Sequence, residues 1–495
     1  MTLSLHSTAL YARPMYTRMP FRYGVATLTS LPHAVLRLEI EVDGVRATGV
    51  AADGLAPKWF TKYPDTTYAQ DMAAMIEVID AARRHAQHVG RADSPFDFWR
   101  QMYTAQAAWA AGTTHPPLLW SFGVSLVERA LIDGYCRATQ QPFADAVRQN
   151  TLGIDLGAIH AELAGSQPAQ WLPAKPTERL LVRHTVGLGD PLDHSDLSHS
   201  QRVNDGLPET LVECIESYGL THFKIKLGGT PEQDVARLSR IARLLEDTVA
   251  GEYVVTLDGN EQYRSMADLQ QFWRAVEEAD SLHKFRGHIA FVEQPLHRDA
   301  TLSDEVGDAL AAWDQHPPLL IDESDGSLDS LPRALALGYC GTSHKNCKGV
   351  FKSIANRSLI AHRQQLEPTG RLIMSAEDLS TVGPVALLQD LATIATLGLT
   401  HAERNGHHYF RGLEMWLPVV GEMMLAHHGD LYTQRAIESP SHPQATPTLD
   451  IRGGSISLAS VLNAPYGLGV ELPFEQLMGG EEVFKQFGLE AGATQ

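Results

Sequence analysis

Eight short apolar runs recur along the middle of this chain, each followed by a stretch of helical spacing, and this alternation restricts the fold more than any other feature. The runs fall at 180–185, 222–227, 253–257, 289–292, 319–321, 341–344, 371–374 and 401–404. They start roughly 20–40 residues apart, room for a helix and a right-handed return to a parallel neighbour. Eight such units predict a parallel barrel inside a ring of helices. One helix shows the signal well. Thr230 is read as an N-cap, Pro231 as the first helical residue and Gln233 as the partner in a capping box. Val235, Leu238, Ile241, Ala242 and Leu245 then form one apolar stripe.

The part before the barrel reads as α+β. An alternating run at 34–42, then Asp43-Gly44, then a second run at 45–50 predicts a hairpin, because Asp-Gly tolerates the positive φ of a type I′ turn. Apolar residues at three- and four-residue spacing predict helices at 68–89, 96–111 and 124–138. The prolines of 171–176 mark a boundary, and Ser439-Pro440-Ser441-His442-Pro443 reads as a linker leaving the barrel. The expected division is 1–175, 176–440 and 441–495, with a turn or hairpin at 451–456 and the tail packing back on the first domain.

Composition excludes several functions. Lys and Arg number 40 against 59 Asp and Glu, a formal charge of −19 over 495 residues. Nucleic acid and anionic membranes both require a basic footprint, so neither is expected as a partner. The four cysteines (Cys136, Cys214, Cys340, Cys347) form no CxxC pair, which argues against a zinc ribbon and for reduced thiols in a cytoplasmic protein. The first twenty residues lack the apolar core of a secretory signal, and no apolar run is long enough to span a bilayer.

The active site of such a barrel lies where its strands end. The second strand carries Lys224 and Lys226, whose spacing puts both ammonium groups on one face. The next ends in Asp258-Gly259-Asn260, the fourth in Glu293-Gln294-Pro295 and the fifth in Asp322-Glu323-Ser324. Lys345 and Lys348 follow the sixth, Glu377 and Asp378 the seventh, and His401 and Glu403 lie on the eighth. Alone, each motif has an ordinary reading: a solvated strand edge, a turn, a helix cap. Their succession at consecutive barrel units points to one site instead. Three carboxylates with room for substrate oxygens suit Mg²⁺ as a hard cation, and the lysines supply movable protons.

This ordered set, Lys-X-Lys, Asp-X-Asn, Glu-Gln-Pro, Asp-Glu-Ser and then lysine, resembles the enolase superfamily, in particular its mandelate racemase and muconate lactonizing enzyme-like branch. The run Tyr466-Gly467-Leu468-Gly469-Val470-Glu471 resembles the family's closing segment, and 124–138 its capping-domain helix. The resemblance implies an N-terminal α+β capping domain on a modified (β/α)7β TIM-type barrel. It implies Mg²⁺ on Asp258, Glu293 and Asp322, with Glu323 as the alternate third ligand. Lys226 matches the base and Lys224 its companion; Lys345 matches the opposing lysine, with Lys348 as competitor. The Asp–His dyad of the racemase branch is absent from the sixth and seventh strands. Asn260, Arg22, His401 and Glu403 are candidate substrate contacts. Arg18 and Arg22 belong to a candidate specificity loop at 16–23, and His407 and His408 have no assigned role.

The implied activity is removal of the proton α to a substrate carboxylate, giving an enediolate. Racemisation or epimerisation, β-elimination or cycloisomerisation follows, so the chain is a lyase or an isomerase. The substrate is a small carboxylate, and a homo-oligomer is compatible with the sequence. Two alternatives remain open at this stage: a Schiff-base barrel lyase or aldolase using Lys226 or Lys345, and a non-catalytic barrel.

Overall fold

The computed structural model describes residues 1–24, 26–435 and 445–487. The expected linker at 439–443 lies outside the described residues. Strands β1 (Leu3–Tyr23), β2 (Ala26–Val42) and β3 (Val45–Gly54) pair antiparallel in that order. Asp43 and Gly44 take φ of 48° and 86°, the two positive angles a type I′ turn requires. Pairing runs further than the sequence suggests. Residues 16–23, read as a loop, are the end of β1, with a register shift between Tyr16 and Phe21. The other edge of β1 pairs with β4 (Arg91–Ala92) and with Met478–Gly479.

Helices α1 (Pro57–Phe60), α2 (Tyr68–Val89), α3 (Pro95–Ala110) and α4 (Pro117–Thr139) follow. The last starts earlier than expected, at a proline suited to a first turn. Every residue of α4 from Leu118 to Cys136 is buried, as befits a helix between two layers. A Cβ on Gly49 of β3 would lie 2.0 Å from the Ala130 carbonyl, so glycine sets this close approach. The polar residues of α4 tie the layers together. Arg129 donates to Ala52 O at 2.8 Å and pairs with Asp53 at 2.9 Å, and Glu128 accepts the Phe351 N–H at 2.7 Å.

The second layer is a barrel of eight parallel strands: β5 (Arg179–Val186), β6 (His222–Lys226), β7 (Val254–Asp258), β8 (Ile289–Glu293), β9 (Leu319–Ile321), β10 (Gly341–His344), β11 (Ile373–Ala376) and β12 (His401–Arg404). All eight runs form strands, the seventh two residues later than read. Neighbours pair in chain order from β5 to β11, and β12 pairs with the other edge of β5. β11 and β12 adjoin without ladder pairing among the described residues. Side chains stitch this seam: the Asp378 N–H donates to Glu403 Oε2 at 3.0 Å, and the Asn405 N–H to Asp378 Oδ2 at 2.8 Å. The architecture is the (β/α)7β barrel with an N-terminal α+β domain that the sequence implies.

One local expectation fails. Thr230 is the N-cap of Pro231–Thr248 but makes no side-chain cap hydrogen bond, so no capping box forms with Gln233. Asp234 instead ties the helix to the loop before it, accepting the N–H groups of Gly228 and Gly229 at 2.7 and 3.0 Å. The turn at 451–456 leads into Ser455–Ser457, which pairs with β5 of the barrel. The chain then returns to the first layer, where Arg137 of α4 donates to Leu468 O at 2.9 Å.

Candidate active site

The period-two geometry of β6 sends Phe223 and Ile225 toward the helices and Lys224 and Lys226 into the barrel. The register then aligns the site: Lys226 stands beside Asp258, and Asp258 beside Glu293. Strands β6 and β10 lie four places apart in a ring of eight. Lys226 and Lys345 therefore enter from opposite walls.

Lys224 is fully buried at the centre of a layer of charge. Its Nζ lies 2.8 Å from Asp258 Oδ2, 2.8 Å from Glu293 Oε2, 2.7 Å from Glu377 Oε2 and 2.9 Å from Glu403 Oε2. Burial opposes its charge, but these four carboxylates outweigh it and hold the ammonium well above the usual lysine range. Arg183 on β5 and the Ser375 hydroxyl both bind Glu377 Oε1. Thr185 donates to Glu403 Oε1 at 2.7 Å. Above this layer, Lys226 Nζ meets Asp258 Oδ2 at 2.6 Å and Lys345 Nζ meets Asp322 Oδ2 at 2.5 Å. Lys348 holds Asp322 Oδ1 at 2.8 Å from the side. Against the cost of burial, Lys345 and Lys348 keep the Asp322 carboxyl well below its usual range.

Glu293 is the exception. Burial first, and then the neighbouring Glu377, push its carboxyl well above the ordinary glutamate range. Neither of its oxygens accepts a hydrogen bond among the described residues. Lys224 lies 2.8 Å from one oxygen without hydrogen-bond alignment, and Lys345 lies 3.9 Å from the other. With neither oxygen hydrogen-bonded, this buried carboxylate has acceptor capacity to spare, which fits a cation shared with Asp258 and Asp322. Glu293 shares Lys224 with Asp258 and Lys345 with Asp322, although the oxygens of the three carboxylates do not all lie within 4.8 Å of one another.

A narrow cavity opens above this layer. Lys226, Asp258, Asn260, Asp322, Lys345 and Glu403 line it from the barrel, and Phe21, Ala56 and Trp59 line it from the first domain. Lys348 is not among the lining residues. Glu323 turns away from the layer to Asn260 Nδ2 at 3.3 Å and Lys62 Nζ at 3.5 Å. The expectation that His401 meets the substrate is corrected by its place on the strand. It begins β12 at the far end of the barrel, against the His222 ring at 5.2 Å, so strand position keeps it from the mouth. Arg18 is also not free to meet a substrate, since it pairs with Asp205 at 2.6 Å and donates to the carbonyls of Leu207, Pro208 and His408. The Arg22 side chain is exposed; its carbonyl accepts the Leu188 N–H, beside the loop after β5.

The lid over this cavity leaves no local mark in the sequence. Trp59 lies over Lys345 Nζ at 4.8 Å. Arg298 donates to Phe60 O at 2.6 Å and Trp59 O at 2.9 Å while paired with Glu261 at 2.7 Å. Lys62 adds contacts to Glu261 at 2.5 Å and Asn260 O at 2.9 Å. Losing two charge-assisted bonds costs about 3 kcal/mol in all. We expect Arg298→Ala to speed amide exchange at Thr61 by roughly 100-fold while core strands stay protected, as followed by hydrogen exchange with mass spectrometry.

Solved structures with this arrangement exist. An enolase from Streptomyces coelicolor is 15% identical, with 98% of this chain and 99% of that chain covered at a TM-score of 0.60. An N-succinyl Arg/Lys racemase from Bacillus cereus is 14% identical over 92% and 97%, at 0.55. An enolase from Bradyrhizobium, complexed with magnesium and mandelic acid, is 13% identical over 98% and 98%, at 0.55. The chain has the enolase-superfamily fold. No protein-family model and no curated protein sequence matches it. Within that fold the charged layer and the cavity occupy the C-terminal mouth of the barrel, where the sequence places the site.

Proposed function

We propose that this chain is a Mg²⁺-dependent enzyme of the mandelate racemase and muconate lactonizing enzyme-like group, which removes the proton α to a substrate carboxylate. The observation that carries this reading is the pair Lys226 and Lys345, facing one another across a cavity lined by Asp258 and Asp322, with Glu293 buried on the strand between theirs. Those three carboxylates would hold the cation. When bound, a divalent ion supplies positive charge to the substrate carboxylate as a second negative charge develops there. A Lys or His base working with Mg²⁺ is the general chemistry of enolase-superfamily sites, and the residues at this mouth fit it.

The protein's own groups do the rest. Lys226 takes the α-proton from one face. The Lys345 ammonium, kept charged by Asp322 against the cost of burial, delivers a proton to the opposite face or steadies the enolate. Trp59 and Phe21 close the cavity and exclude water. Asn260, with its Oδ1 lacking a hydrogen-bond partner among the described residues, and Glu403 border the substrate. Racemisation or epimerisation, elimination and cycloisomerisation all share this first step. A charged Lys345 is a poor amine nucleophile, which disfavours a Schiff base at that lysine.

The test is a screen of acid sugars, dipeptides and aromatic carboxylates for α-proton exchange in deuterium oxide. Exchange of at least one class is expected with Mg²⁺ and none after chelation. Exchange that persists in chelator would remove the metal from the mechanism, and borohydride trapping of substrate would favour the aldolase.

A further inference from the structure

Outside the mouth, β5 alternates Arg183 and Thr185 inward with His184 outward, toward the helix Leu211–Tyr218. Cys214 of that helix and His408 of the short helix Gly406–Tyr409 meet His184 there. All three side chains are buried, at 0–3% exposure, and their ligand atoms all lie within 4.8 Å of one another. No other trio of His, Cys, Asp or Glu among the described residues is so close. We propose that His184, Cys214 and His408 form a metal site separate from the mouth, for a d-block divalent ion of the zinc type.

The geometry matches that ion. Cys214 Sγ lies 3.6 Å from His408 Nδ1. Two ligands at about 2.3 Å (sulfur) and about 2.0 Å (nitrogen) in a tetrahedron stand roughly 3.5 Å apart. His407 stands beside the trio, outside its 4.8 Å limit: its Nε2 lies 3.2 Å from His184 Nδ1, and its Nδ1 is sealed from solvent with no hydrogen-bond partner among the described residues. The far nitrogen of His408 faces Asp190 Oδ2 at 3.9 Å. Asp190 is fixed by the Tyr409 hydroxyl at 2.5 Å and the Gly187 N–H at 2.6 Å; it stands behind His408 as carboxylates do at zinc centres, a shift short of hydrogen-bond distance. Thiolate and imidazole select zinc or cobalt over Mg²⁺, which prefers an all-oxygen shell. The site joins β5, the helix after it and the segment after β12, so its role is structural. It would brace β5 against the segment that follows β12, the strand of Glu403.

The experiment uses the full chain, produced in minimal medium with cobalt in place of zinc and purified in excess Mg²⁺. About one cobalt per chain is expected, with tetrahedral visible bands and a near-ultraviolet thiolate-to-cobalt charge-transfer band. Cys214→Ser should lose the charge-transfer band. Asp190→Asn should weaken cobalt retention about 10–100-fold. Less than a tenth of an equivalent of cobalt or zinc in the wild-type chain would overturn the proposal. So would a charge-transfer band that survives Cys214→Ser, because it would assign the thiolate elsewhere. The wild-type measurement decides the matter even if a variant fails to fold. Cobalt at the mouth has no thiolate there, so loss of α-proton exchange leaves this result unaffected.

Discussion

Lys226→Ala is expected to reduce α-proton exchange by about 10²–10⁴-fold, the usual contribution of a positioned general base, while Mg²⁺ still binds. The reason is position. Lys224 and Lys226 share a strand face, but Lys224 is sealed beneath four carboxylates whereas Lys226 borders the cavity. Of these two, only Lys226 is placed to reach a substrate carbon. In the resting layer Asp258 holds the Lys226 ammonium at 2.6 Å. Lys345→Ala should cost turnover on a similar scale but spare exchange of the substrate enantiomer whose proton faces Lys226. Calorimetric Mg²⁺ titration beside mass-spectrometric exchange checks both variants. Wild-type exchange by Lys226→Ala, with the metal bound, would move the base to another residue.

Most of the barrel and the floor of its site are legible in the sequence for one physical reason. Each strand is an apolar run cut off by a charge, and a charge at the end of a buried strand must find partners at the mouth. Lys224, Asp258, Glu293 and Asp322 announce themselves this way. Position along a strand is harder to read. His401 and Glu403 lie on the same face of β12, yet two residues are about 7 Å of strand, and that separates the floor of the barrel from the layer at Lys224. Side chains that meet across long sequence separations leave no local mark. Trp59 with Lys345, Arg298 with the Phe60 carbonyl, and Arg18 with Asp205 are of this kind. His184 is hidden by its strand, since an outward residue between two inward ones reads as ordinary alternation. Glu377 stands out in the sequence only as a departure from a family pattern. The structure shows it bound by Arg183 and Lys224 at the centre of the layer.

Lys224→Met should destabilise the fold by about 3–5 kcal/mol, the scale for breaking a buried ion pair by removing one partner. Five carboxylates (Asp258, Glu293, Asp322, Glu377, Glu403) face five cations (Arg183, Lys224, Lys226, Lys345, Lys348) within the barrel. Lys224 touches four of the acids. Methionine fills its volume and isolates the effect of charge, leaving Glu293 with no cation nearer than Lys345 at 3.9 Å. Charged groups elsewhere cannot enter, because Lys224, Glu293 and Thr256 are fully buried. The cost should appear as a lower denaturant midpoint in chelator. It should shrink in the double variant Lys224→Met with Glu403→Gln, which removes one stranded charge. The single glutamine oxygen can face the Asp378 N–H and spare the seam, while the Thr185 hydroxyl, able to donate or accept, turns to accept from the amide. If the single and double variants are equally destabilised, the loss comes from packing. An unchanged midpoint in Lys224→Met would mean that the layer keeps its carboxyl groups protonated and needs no central cation to stand.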